Sequence, residues 1–172
     1  MPEAIITIDE AQPRDARELL ACLRQMALET DYLSEVERLM TGDARALENY
    51  LLQSLHALDQ LCLILRVDGQ IAGLLNLVSS DFEATSHIAE LFIAIKKTYW
   101  GYGLGRELIE LGLAWAQETP SVAKIELAVQ SRNHRAIQLY RQCGFVFEGT
   151  RKRAIKTKDG ELIDVDLMGL CL

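Results

Sequence analysis

Asn133, Ile137 and Tyr140 stand at i, i+4 and i+7, so a helix through them carries an amide, an apolar side chain and a phenol on one face. Against a ligand, such a phenol gives a proton to a leaving group. Without one, it is a core tyrosine whose hydroxyl meets the surface. A second set is made of glycine. Gly101, Gly103 and Gly105 alternate after the apolar run Ile88–Ile95 and before Leu104, Leu108, Leu111 and Trp115, which recur at helical spacing. A strand, a glycine loop and a helix start present free N–H groups, and the helix dipole adds to their attraction for a phosphate. The third set is acidic. Alternation puts Glu90 on one strand face with Ile88, Phe92 and Ala94, and a carboxylate inside a buried strand is costly unless it is paired or used. Glu90 therefore reads either as a proton acceptor or as half of an ion pair.

The loop is not one of the commoner phosphate loops. A G-x-G-x-x-G pattern begun at Gly101 needs glycine where Arg106 stands, and begun at Gly103 it needs glycine where Leu108 stands. No glycine is followed by Lys and then Ser or Thr, which excludes the G-x-x-x-x-G-K-[ST] loop. Trp100-Gly101-Tyr102-Gly103-Leu104-Gly105 resembles the Gln/Arg-x-x-Gly-x-Gly/Ala pyrophosphate loop of the GNAT acyl-CoA N-acyltransferases, with Trp100 in place of the usual Gln or Arg. The Tyr-Trp-Gly form is similar to the ribosomal-protein and polyamine acetyltransferase branch. Asn133 to Phe145 resembles the family's second signature, Asn-x-x-Ala-ϕ-x-ϕ-Tyr-x-x-x-Gly-Phe (ϕ apolar), at every defined position.

The resemblance implies a GNAT-like fold of the mixed α/β class, in one domain over residues 1–172. It implies acetyl-CoA as cofactor and transfer of its acetyl group to a primary amine by direct attack in a ternary complex. Phe92, Ile93 and Ile95 would flank the pantetheine arm like an added strand, and a backbone N–H near Ile93 would stabilise the oxyanion. Trp100, Gly101, Tyr102, Gly103, Leu104, Gly105 and Arg106 would surround the pyrophosphate, and Asn133 the pantetheine arm or its surroundings. Tyr140 would protonate the departing thiolate, and Glu90 would take the amine proton through water or bind the amine as a cation. His87 is the other candidate base. Glu29, Asp31 and Tyr32 fall where the family lines its acceptor site, although a solvated helix end is the plainer reading of such loop charges. The acceptor is a small-molecule amine or a peptide N-terminus. The competing class is a non-catalytic acyl-CoA-binding sensor or structural module.

Composition agrees with a globular protein. The chain has 172 residues, is 49% hydrophobic and 25% charged, and carries a net charge of −7, which speaks against nucleic acid as a partner. No stretch is long and apolar enough to cross a membrane, and the N-terminus lacks the basic and apolar regions of a signal peptide. The four cysteines, at 22, 62, 143 and 171, have no metal-like spacing and read as reduced thiols in a cytoplasmic protein. Cys143 occupies a packing position without an obvious basic partner. Arg151, Lys152, Arg153, Lys156 and Lys158 read as a solvated strand face. A homodimer is compatible with all of this.

The elements that must position these residues follow in order. Ile5 to Ile8 is a strand. Pro13 and Asp15 open a helix through Leu19, Leu20, Leu23, Met26 and Ala27. Asp43 caps a second helix to about His56, with Leu47, Tyr50, Leu51, Leu52 and Leu55 inward. Leu61 to Val67 and Gln70 to Val78 form a hairpin around Asp68-Gly69. Pro120 ends the helix after the glycines, and Val122 to Val129 is a strand. Ser131 or Asn133 caps the signature helix, and Gly144 suits the position after its end. Phe145 to Thr157 and Glu161 to Leu170 close the chain as a hairpin around Asp159-Gly160.

Overall fold

The computed structural model describes residues 4–33 and 42–172. Seven strands are described: β1 (Ile6–Glu10), β2 (Gln60–Val67), β3 (Gln70–Ser79), β4 (Ile88–Ile95), β5 (Lys124–Gln130), β6 (Val146–Lys156) and β7 (Leu162–Cys171). Four α-helices accompany them: α1 (Ala16–Glu29), α2 (Ala44–His56), α3 (Leu104–Glu118) and α4 (His134–Gln142). The strands form one sheet in the order β1-β2-β3-β4-β5-β7-β6. Only β4 and β5 run parallel, and every other neighbouring pair is antiparallel.

The helices cover both faces. Leu19, Leu23 and Met26 of α1 and Leu47 and Leu51 of α2 pack on Cys62, Ile64, Ile71, Leu74 and Ala94. Leu104, Leu108 and Ile109 of α3 and Ile137 and Tyr140 of α4 pack on Leu65, Leu75, Leu77, Leu91 and Leu127 on the other side. This two-sided cover explains β3, whose residues from Ile71 through Leu77 are all buried. Two glycines bring the layers close. A Cβ on Gly112 would meet Leu75 and Leu77 at 3.1–3.3 Å, and one on Gly73 would lie 2.7 Å from the Ala94 carbonyl oxygen.

Helical spacing misplaces some inward residues. Leu111 is exposed, and α3 turns Leu104, Leu108, Ile109, Gly112 and Ala116 to the core. Leu52 is likewise exposed, whereas Ser54 is buried. A single 3.6-residue stripe does not reveal which neighbouring turn the sheet covers.

The feature that makes a site is the short parallel ladder. Its register runs from Ile88↔Lys124 to Glu90↔Glu126 and stops there. The next residues of β4 remain paired with β3 through Gly73↔Ile95, while β5 stays with β7. Beyond Glu90 the sheet therefore opens into a wedge, and the register of β4 with β5 does not continue along Leu91–Ile95 among the described strands.

Candidate active site

The wedge opens into a cavity of about 720 Å³. One wall is Leu91 to Ile95. Then come Tyr99, Trp100, Gly101, Gly103, Leu104, Gly105 and Arg106, followed by the end of β5 and α4 from Asn133 to Tyr140.

The glycine loop is built from main-chain geometry. Gly101 has φ +92° and Gly103 φ +84°, conformations an L side chain rarely adopts. Gly103 is the N-cap of α3 without a side-chain cap, so the N–H groups of Leu104 and Gly105, in its first turn, have no intrahelical acceptor. Gly105 has a different task. A Cβ there would meet Leu139 at 3.0 Å, so this glycine brings α3 against α4. Trp100 donates from Nε1 to the Ile95 carbonyl at 2.7 Å, pinning the loop to the end of β4, and the Arg135 guanidinium lies 5.4 Å over its ring. Arg106 donates to Gln142 at 2.7 Å. Tyr102 is half exposed and outside the lining.

Asn133 caps α4: its Oδ1 accepts from the Ala136 N–H at 3.2 Å while the residue lines the cavity. The helix ends with Gly144 at φ +95°. The Gly144 N–H bonds Arg141 O and the Phe145 N–H bonds Tyr140 O. This termination brings Phe145 edge-on to Tyr140, with ring centroids 6.0 Å apart. Tyr140 is 8% exposed and lines the cavity, and its hydroxyl has no hydrogen-bond partner among the described residues. Burial, reinforced by the nearby Cys143 sulfur, raises its pKa, so the phenol keeps its proton.

The acidic candidates lie elsewhere. Glu90 is exposed and outside the lining. The expectation of a buried carboxylate there fails for that reason. Glu29 accepts from the Lys97 N–H at 2.8 Å and from Gln25 at 2.9 Å, tying the end of α1 to the turn after β4. Asp31 pairs with Arg132 at 2.5 Å, and its carbonyl accepts from Gln130 at 2.7 Å. Of these three acceptor-side candidates only Tyr32 lines the cavity, with Arg132 5.6 Å over its ring. His87 is exposed. Burial raises the Cys143 pKa, which makes it a poor nucleophile. Sequence reasoning missed Arg132, Gln130, Ile155 and Val165. Arg132 and Gln130 reach Asp31, 101 and 99 residues away, and no local pattern marks that contact.

The model of the Acetyltransferase (GNAT) family matches residues 20–145. The chain belongs to that family. A GNAT-family acetyltransferase structure from Streptococcus pneumoniae superposes with a TM-score of 0.92 at 37% identity, over 98% of this chain and 100% of that one. The L-amino acid N-acetyltransferase of Escherichia coli (strain K12) is 31% identical over 62% of this chain and 65% of its own length. The spermidine N(1)-acetyltransferase of the same strain is 33% identical over 50% of this chain and 45% of its own length. The match thus spans less than two thirds of either curated relative. GNAT acetyltransferases use acetyl-CoA. The site fits that group, since Gly103 leaves open space where a Cβ would stand and the unpaired β4 edge can receive an extended arm.

Proposed function

We propose that this chain acetylates a primary amine, with acetyl-CoA as donor, by direct attack in a ternary complex. The observation that carries the reading is the union, in one cavity, of the unpaired β4 edge, the positive-φ glycines and a protonated tyrosine without an internal partner. Acetyl-CoA supplies the activated thioester. The edge of β4 from Phe92 to Ile95 orients its pantetheine arm by strand-like main-chain hydrogen bonds, and an N–H near Ile93 stabilises the oxyanion. The N–H groups from Gly101 to Gly105 hold the pyrophosphate, with Trp100 fixing the loop. Asn133 keeps α4 in place, and Tyr140 gives its phenolic proton to the departing thiolate.

No proton transfer is assigned to Glu90, which is exposed and outside the lining. The amine proton leaves through water in the open mouth. The test is thiol release from acetyl-CoA with a panel of amines, beside melting curves with coenzyme A and with NADH. Amine-dependent release and a larger stabilisation by coenzyme A are expected. Stabilisation without turnover would favour a non-catalytic acyl-CoA-binding module. A larger shift with NADH would overturn both readings.

A further inference from the structure

Relatives named for acetylating amino acids and spermidine leave the acceptor open, but the charges in the cavity divide these classes. Among the described lining residues the charged side chains are Arg106, Arg132 and Arg135, and none is Asp or Glu, in a chain of net charge −7. Arg106 and Arg135 belong to the glycine loop, through Gln142 and Trp100. Arg132 belongs to the other end. It follows β5, and Gln130 beside it pairs with Val165 of β7 and bonds the chain at Asp31.

The Arg132 donors are only partly used. Nε donates to Gln130 Oε1 at 2.9 Å, Nη2 to Asp31 at 2.5 Å, and the guanidinium face covers Tyr32. Nη1 has a single charged neighbour, Glu161 at 3.7 Å, beyond hydrogen-bond reach, and no hydrogen-bond acceptor among the described residues. Asp31 and Glu161 are exposed and stand outside the lining, so they hold Arg132 without closing its cavity side. Guanidinium binds carboxylate through two parallel N–H donors, and a polyamine would meet like charge here with no carboxylate among the described lining residues to receive it.

We infer that Arg132 selects an acceptor that carries a carboxylate beside its amine, and so an amino-acid-like substrate rather than a polyamine. The inference rests on the acetyl-transfer reading above. It is tested with pairs that differ only in the carboxylate, L-lysine against cadaverine and L-phenylalanine against phenethylamine, with spermidine as a third arm. The wild-type protein should favour the carboxylated member of each pair by about tenfold or more in kcat/KM, as a hydrogen-bonded charge pair is worth. Arg132→Gln should remove that preference mainly through KM, and Arg132→Lys should keep part of it. Coenzyme A affinity should stay within about twofold throughout, since a lost carboxylate contact does not touch the donor end. Wild-type preference for cadaverine or spermidine, or a preference that survives Arg132→Gln or is lost in a folded Arg132→Lys, would overturn the inference alone. Coenzyme A binding with no turnover of any amine would overturn the transfer reading, and this one with it.

Discussion

The two ends of the cavity are held by different means. The donor end, from β4 through the glycine loop to α4, is fixed by the main chain: a broken ladder, positive-φ glycines, a helix N-terminus and a glycine-terminated helix. Its elements are close in sequence. The acceptor end is fixed by side chains reaching across the fold. Arg132 and Asp31 are 101 residues apart, Gln130 and Asp31 are 99 apart, and Lys97 and Glu29 are 68 apart. Main-chain geometry tolerates many side chains around it and suits a cofactor shared across a family. Side-chain pairs change with single substitutions and suit a substrate that differs between relatives.

The strongest way to break this contrast is Tyr140→Phe, which removes one donor and leaves the ring on Phe145. A drop of about 10²–10⁴-fold in kcat, with KM and melting temperature little changed, is expected from steady-state kinetics beside a melting curve. Wild-type turnover in the folded variant would return Tyr140 to the core. The raised pKa adds a pH expectation. Below the ordinary tyrosine value of about 10 the phenol stays protonated, so no alkaline loss of kcat should arise from it there. Its contribution to stability is likewise complete below that value and is lost only as pH rises through the folded-state pKa.

Gly73→Ala probes the support behind the wedge. The new Cβ would press on the Ala94 carbonyl and on Ile95, at the end of β4. A loss of about 1–3 kcal/mol in a denaturant titration is expected, together with weaker coenzyme A binding. Unchanged stability would mean that β4 yields freely. Gly103→Val has open space for its side chain, so its cost lies in the positive φ and in the loop's approach to phosphate. Coenzyme A affinity should fall about tenfold by calorimetry, equivalent to about 1.4 kcal/mol.

The acceptor end should respond more weakly in stability. A double-mutant cycle of Asp31→Ala and Arg132→Ala should give a coupling of about 0.2–1 kcal/mol, because the Asp31 side chain is 63% exposed. A coupling of several kcal/mol would show that this end is as rigid as the other. The smallest effect belongs to Glu90→Gln, for which kcat within about twofold of wild type is expected, general-base work being worth far more. A hundredfold loss would restore Glu90 as the base.

By itself the sequence determined the glycine loop and the signature helix that line one end of the cavity. Alternate glycines between an apolar run and a helical stripe have few other uses. The Asn133-to-Phe145 pattern contains its own cap, face and termination, each written within a turn or two of the residue it serves. The caps of α2 and α4 and the hairpin at Asp68-Gly69 were legible for the same reason. The outcome for Glu90 was not, because alternation says which face a side chain takes but not whether a helix covers that face. Nor were Arg132 and its partners. Whether a guanidinium is free or spent depends on which carboxylates the fold brings to it, and here they come from the end of α1 and from the connection before β7. Only the tertiary structure showed that Asp31 pairs with Arg132, since a pairing across 101 residues leaves no trace in local spacing.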